Sequence, residues 1–140
     1  MSSDLALQWF GGPGPERMID RHMRGPPPLA MDGRLFIVGE NRLIAVDAHN
    51  GTELWDLALP QSQRYAMPYD AGYIAARRDR ICVATGQHVA LINPRTGRLD
   101  YQIVLPLEVR EGHHWGWRGV TDDAIFGSAL LPTAPRTEAN

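Results

Sequence analysis

The stretch Ala-Val-Asp-Ala-His-Asn-Gly-Thr-Glu-Leu-Trp, residues 45–55, reads as one strand, a tight turn and the start of a second strand. Asn50-Gly51 predicts a two-residue turn, which needs positive φ angles that Gly, and less easily Asn, can adopt. Asp47 stands where its carboxylate can accept backbone N–H groups of the turn. The stretch therefore predicts a β-hairpin that an acidic side chain holds closed.

This hairpin pattern occurs again 46 residues further along the chain. Residues 33–60 align without a gap onto residues 79–106, so that Trp55 meets Tyr101. A third copy begins within residues 115–130. A period near 45 residues with four strands in each unit is typical of the blades of a β-propeller.

The predicted strands are short apolar segments separated by Gly, Asn and Pro turn signals. Their Val- and Ile-rich runs have no helical spacing, which excludes a solenoid of helix pairs. Residues 43–46 are apolar without alternation, as expected for a sheet covered on both faces. The predicted strands are residues 29–30, 34–38, 42–47, 53–59, 72–76, 80–84, 88–93, 99–105, 115–121 and 124–130.

The predicted fold class is all-β: a partial β-propeller of consecutive four-stranded antiparallel blades, forming an open arc rather than a closed ring. Because closed propellers have at least four blades, we expect the chain to be a fragment of a larger protein. The expected units are 1–27, an end strand of a preceding blade with a Gly/Pro-rich connector; 28–60, blade 1; 61–106, connector and blade 2; 107–131, incomplete blade 3; and 132–140, a disordered tail.

Composition excludes several classes of protein. The 140 residues carry a formal charge of −2, which gives no electrostatic argument for binding nucleic acid. No apolar run approaches the roughly 20 residues of a membrane span. Cys82 is the one cysteine and lies in an apolar run, which predicts a buried thiol. The first residues lack the basic and apolar regions of a signal peptide, so the compartment stays unknown.

The pattern Ala-x-Asp-x-x-x-Gly-x-Glu-x-Trp at residues 45–55 resembles the tryptophan-docking repeat of the quinoprotein, or PQQ-binding-like, β-propellers. The resemblance implies that the aromatic residue ending each copy lies between blades and packs on the turn of the neighbouring blade. Trp9 resembles the aromatic residue of a preceding blade. The second copy departs from the pattern in its Asp, Glu and Trp. The motif residues are Ala45, Asp47, Gly51, Glu53 and Trp55 in the first copy and Asn93, Thr96, Gly97 and Tyr101 in the second.

Three residues are candidates for binding a ligand in a propeller channel: Arg21, Arg78 and Trp117. Connectors and inner strands of propellers face the channel, where an arginine can contact a carboxylate. The alternative interpretation is that these arginines are solvated or form ion pairs with nearby residues such as Asp79.

No metal or catalytic site is predicted. Adjacent histidines on a strand, such as His113 and His114, point to opposite faces and cannot both bind one ion. Asp122 and Asp123 align with a turn between strands in the first copy. The second cysteine of the disulfide that covers the cofactor in quinone dehydrogenases is absent. We therefore expect no cofactor, and PQQ is implied by the resemblance alone.

The predicted function is a non-catalytic repeat module, a scaffold or protein-interaction domain, and an enzyme is not expected from this chain alone. Similar propellers act in bacterial envelope assembly, in the periplasm or at the envelope. The expected partners are the remaining blades of a parent propeller or another protein, and self-association through exposed blade faces is a further expectation. The alternative is a fragment of a quinoprotein oxidoreductase whose catalytic residues lie outside the chain.

Overall fold

The computed structural model describes residues 27–62 and 74–131. Within these ranges the chain forms ten strands and one short helix. The elements are β1 (Leu29–Met31), β2 (Arg34–Gly39), β3 (Arg42–Asp47), β4 (Glu53–Ala58), β5 (Ile74–Arg77), β6 (Arg80–Thr85), β7 (His88–Ile92), β8 (Leu99–Val104), α1 (Leu107–Arg110), β9 (His114–Val120) and β10 (Ile125–Leu130).

The strands form three antiparallel sheets, each built from neighbours in sequence. Blade 1 has the order β1-β2-β3-β4, blade 2 has the order β5-β6-β7-β8, and blade 3 is the pair β9 and β10. None of the sheets closes on itself. The chain is therefore an open, partial β-propeller, which confirms the predicted fold class.

Blades 1 and 2 repeat each other down to the pairing register. Ile37 lies opposite Ile44 in blade 1, and Val83 lies opposite Ala90 in blade 2, with the same 46-residue step. Both blades also shift register between their third and fourth strands. The shift falls at Ala45/Val46 in blade 1 and at Leu91/Ile92 in blade 2.

The core between blades 1 and 2 consists of apolar side chains from the two central strands of each sheet, together with Leu59, which follows β4. Because strand side chains alternate between faces, every second residue of a central strand points into this interface. Its fully buried members are Phe36, Val38, Leu43, Ala45, Leu59, Ile81, Val83, Ala90 and Ile92.

A second apolar interface joins blades 2 and 3. Cys82, Val89 and Leu91 lie on the opposite face of blade 2, against Trp115 and other partly buried side chains of blade 3. Blade 2 is therefore covered on both faces, which explains why residues 81–84 are apolar without alternation.

The connection between blades 2 and 3 differs from the prediction, since it contains the helix α1. Pro106 precedes the helix, and its carbonyl accepts the amide N–H of Val109 at 3.1 Å. The Arg110 guanidinium donates back to the carbonyl of Leu105 at 2.9 and 3.0 Å. A single helical turn held by these local contacts has no periodic apolar pattern, so the sequence did not reveal it.

Some predictions fall outside the described residues. The predicted end strand and connector fall there except for residue 27, and so do Trp9 and Arg21. Most of the connector before β5 and the tail at 132–140 also lie outside the described residues. The boundaries of the predicted units likewise stay predictions.

Candidate functional site

The turn between β3 and β4 is wider than predicted. Asp47 Oδ1 accepts the amide N–H groups of His49 at 2.8 Å and Asn50 at 3.2 Å, which confirms the predicted role of its carboxylate. Gly51 has a φ of 73°, whereas Asn50 is not among the residues with positive φ. The prediction of a two-residue turn at Asn50-Gly51 is therefore wrong. Because the Asp47 carboxylate accepts two backbone N–H groups, it stabilises a five-residue loop in which one residue, Gly51, is left-handed.

The turn between β7 and β8 has the same construction. Asn93 Oδ1 accepts the amide N–H groups of Arg95 at 2.9 Å and Thr96 at 3.2 Å. Gly97 has a φ of 70°, and its amide donates to the carbonyl of Asn93 at 2.9 Å. An amide oxygen replaces a carboxylate oxygen here because either one can accept backbone N–H groups.

Trp55 joins blade 1 to this second turn. Its indole Nε1–H donates to the carbonyl of Pro94 at 3.1 Å. A Cβ built on Gly97 would lie 2.7 Å from two carbons of the indole ring. On its other side the ring centroid lies 5.9 Å from that of Phe36, with the planes tilted by 35°. Gly97 thus supplies both the left-handed backbone and the space that the indole occupies.

Tyr101 occupies the equivalent position in blade 2 but has a different environment. It lies opposite Leu91, as Trp55 lies opposite Ala45, and 54% of it is exposed. The described part of blade 3 has two strands and does not contain a turn between a third and a fourth strand. The docking that the resemblance implies for Tyr101 is therefore not seen among the described residues.

A cleft of about 230 Å³ lies beside the turn that receives Trp55. Its walls come from three turns, those between β1 and β2, between β5 and β6, and between β7 and β8. It contains three arginines, and its remaining lining is one acidic and three apolar residues. The lining residues are Met31, Asp32, Arg34, Phe36, Arg78, Pro94 and Arg95; this set is called the arginine cleft below.

Of the predicted channel candidates, Arg78 lines this cleft. Trp117 belongs to β9, and Arg21 is not among the described residues. The sequence analysis missed Arg34 and Arg95 as site residues. They are 61 positions apart, and only the packing of blade 1 on blade 2 brings them together, so no local motif could have revealed the pair.

Arg78 is exposed, so of the two alternatives for this residue, solvation and ion pairing, only an ion pair with Asp79 is excluded. Asp79 pairs with Arg80 at 2.6 Å and with Arg77 at 3.5 Å, but not with Arg78. The hydrogen bond from the Arg80 side chain holds the pKa of Asp79 below its usual value. Arg77 also pairs with Asp122 at 2.5 Å, which ties the turn between β9 and β10 to blade 2.

Cys82 and His113, which also carry side chains that could take part in chemistry, lie in surroundings that indicate a structural role. Burial raises the pKa of the Cys82 thiol to about 11, so the thiol is neutral at physiological pH. A ring nitrogen of His113 lies 2.8 Å from the carbonyl of Glu111. Within residues 27–62 and 74–131, no three His, Cys, Asp or Glu side chains are grouped so that they could hold a metal ion.

Within the described residues, no helix has the length and apolar character needed to cross a bilayer.

Comparison with known proteins gives one family and a distant structural likeness. A family model described as "Outer membrane protein assembly factor BamB" matches residues 8–118. No curated protein matches the chain. Among solved structures, a europium-containing methanol dehydrogenase aligns with 20% identity and a TM-score of 0.42, over 56% of this chain and 15% of that one. At this distance the alignment says nothing about function.

Proposed function

Because the chain belongs to the PQQ-binding-like repeat family represented by the model of outer membrane protein assembly factor BamB, we propose that it is a non-catalytic propeller module. Its role is that of a scaffold or protein-interaction domain. The observation that carries this proposal is the contact of Trp55 with the turn of blade 2. The repeat motif is used to join blades and not to hold a reactive group.

Six of the nine motif residues divide this structural work between them. Asp47 and Asn93 close their turns, while Gly51 and Gly97 supply the left-handed backbone. Trp55 fastens one blade to the next. Ala45 lies opposite Trp55 on the paired strand, where a larger side chain would displace the indole.

The edge strand of blade 2, β8, supports an interaction role. A partial propeller implies further blades or partners, and β8 leaves Leu99, Tyr101 and Val104 between 38% and 54% exposed. Leu99 and Tyr101 lie on one face of β8, and Val104 lies on the other. Exposed apolar residues on an edge strand are a site for pairing with another protein or another copy. We propose that this strand takes part in self-association.

Sedimentation velocity tests this role over a range of protein concentrations. The wild-type chain is expected to show mass that rises with concentration, and Tyr101→Lys is expected to reduce the association. Leu107→Lys is the matched control, because Leu107 is 76% exposed but lies on α1 rather than on β8. Monomeric behaviour of the wild-type chain at every concentration would contradict self-association.

No quinone cofactor is part of the proposed function. In the PQQ enzymes that the sequence resembles, the quinone is bound with a calcium ion, which takes six to eight oxygen ligands. Within 27–62 and 74–131, no three His, Cys, Asp or Glu side chains are grouped so that they could hold a metal ion. We propose no reaction step through PQQ.

Titration with PQQ and calcium tests the oxidoreductase alternative directly. The module proposal predicts no change in the absorbance of the quinone and no dye-linked oxidation of alcohols or sugars. Saturable uptake of PQQ by the chain, with turnover of a substrate, would overturn the proposal in favour of a quinoprotein fragment.

A further inference from the structure

The three arginines of the arginine cleft lie outside the apolar core that packs blade 1 on blade 2. Arg34 lies at the start of β2, whereas Arg78 and Arg95 lie in the turns that precede β6 and β8. The cleft therefore lies at the junction of two blades. It exists only when blade 1 and blade 2 are packed together, so it reports on the assembled module.

Charge in the cleft is unbalanced. Three guanidinium groups face one carboxylate, that of Asp32. Among the residues at 27–62 and 74–131, none of Arg34, Arg78 and Arg95 forms an ion pair. Most other described arginines have an acidic partner; the pairs are Arg42–Asp56, Arg77–Asp79, Arg77–Asp122, Arg80–Asp79 and Arg98–Asp100.

The hydrogen bonds of the Arg34 guanidinium are a second observation that indicates an anion site. One of its terminal nitrogens, Nη1, donates to the carbonyl of Asp32 at 3.2 Å. Its Nε is buried and has no hydrogen-bond acceptor. A buried donor without an acceptor is costly, and more so when the group is charged. An anion in the cleft would provide the acceptor.

The shape of the cleft limits the size of that anion. A volume of about 230 Å³ admits one or two side chains but not a large cofactor. Phe36, Met31 and Pro94 provide an apolar wall for the methylene groups of a side chain. Arg78 and Arg95 are exposed at its rim, where their planar guanidinium groups can form paired hydrogen bonds with carboxylates.

We propose that the arginine cleft binds carboxylate side chains of an acidic segment of a partner protein. This inference rests on the proposed function, because it names the kind of partner that an interaction module would recognise. An extended acidic segment suits the site better than a free anion, since the three arginines come from separate turns and can contact successive side chains.

Fluorescence anisotropy of a labelled oligoglutamate peptide tests the proposal on the full chain. The wild-type chain is expected to bind the peptide, with affinity falling as salt is added. Arg78→Gln and Arg95→Gln are each expected to weaken binding by about tenfold, the loss of one charged hydrogen bond. Both residues are exposed, so circular dichroism of the variants should match that of the wild type.

Arg98→Gln is the matched control, because Arg98 follows the same turn but pairs with Asp100 at 2.8 Å outside the cleft. It is expected to bind the peptide as the wild type does. Equal weakening by Arg98→Gln, equal binding of an oligoglutamine peptide, or no binding at all would overturn the proposal. Competition by free glutamate or inorganic phosphate at the same charge concentration as the peptide would assign the cleft to small anions instead.

The peptide experiment is separate from the test of the module itself. A chain that takes up no quinone and ignores the peptide contradicts the cleft assignment and leaves the module intact. Quinone uptake contradicts the module, whatever the peptide does.

Discussion

The two interfaces of blade 2 are both built from apolar strands, but they differ at the aromatic position of the repeat motif. Where blade 1 meets blade 2, Trp55 reaches across and donates to Pro94 at 3.1 Å. Where blade 2 meets blade 3, Tyr101 stands at the equivalent place and is 54% exposed. The residue that fastens a blade therefore works only when the next blade presents a turn to receive it.

This difference shows that the two parts of the motif, the turn and the aromatic residue, depend on different contacts. The turn closes by itself, because Asp47 and Asn93 need only their own backbone neighbours. The aromatic contact needs a neighbouring blade. Substitutions at the aromatic positions should consequently have unequal effects, even though the two positions are related by the repeat.

Trp55→Ala is expected to have the largest effect. It removes the hydrogen bond to Pro94, the contact with Gly97 and the packing on Phe36. Truncation of a large packed aromatic side chain costs about 3–5 kcal/mol, and the partial exposure of Trp55 places it at about 3 kcal/mol. Urea denaturation measures the loss; a value under about 1 kcal/mol would mean that the indole does not fasten the blades.

Gly97→Ala is expected to follow, at about 2–3 kcal/mol. A methyl group there meets the indole at 2.7 Å and also pays the left-handed penalty of about 1–2 kcal/mol. Gly33→Ala is the matched control, since Gly33 has a φ of 72° but no atom within 4 Å of the added Cβ. It should show the backbone penalty alone.

A double substitution sharpens this test. In a Trp55→Ala background the clash with the indole is gone, so Gly97→Ala should then cost no more than Gly33→Ala. Equal costs of the two glycine substitutions in the wild-type background would show that Gly97 is required for its backbone angle and not for the space it leaves.

The sequence predicted the blades well because they depend on local patterns. All eight strands of blades 1 and 2 lie at the predicted places to within two or so residues at each end, since apolar runs and turn residues act over short distances. The length of the turn between β3 and β4 was not predicted correctly. The pair Asn50-Gly51 indicates a short hairpin, but the side-chain bonds from Asp47 stabilise a longer one.

The arginine cleft marks the limit of prediction from sequence. Arg78 was predicted as a candidate because it lies in a connector, whereas Arg34 and Arg95 have the pattern of ordinary strand-end and turn residues. Their proximity depends on how two sheets pack. No periodicity within one sheet encodes that relation.

Cys82 reports on the interface between blades 2 and 3. Its thiol pKa is raised from 9.0 to about 11, first by burial. The folded state therefore prefers the neutral thiol. The resulting stability is fully present below pH 9 and is lost as the pH rises towards 11, by at most about 2–3 kcal/mol.

Stability measured between pH 8 and about 11 tests this on the wild type and on Cys82→Ala. The wild type should lose stability more steeply, because other groups titrate equally in both proteins. Parallel pH profiles would mean that the thiol ionises as easily in the folded chain as in the unfolded one, and hence that blade 3 does not keep water from Cys82.

Tyr101→Ala is expected to have the smallest effect, under about 1 kcal/mol at protein concentrations where the chain is monomeric. The phenol is more than half exposed, so its removal creates no cavity, and surface substitutions usually change stability by about 0.5 kcal/mol. The same urea denaturation that measures Trp55→Ala gives the value. A loss near 3 kcal/mol would place the phenol under cover in solution. Because the described part of blade 3 supplies no turn at that position, the cover would have to come from a second copy or from other residues of the chain. Repeating the measurement at several protein concentrations distinguishes these two sources, since only a second copy makes the cost depend on concentration.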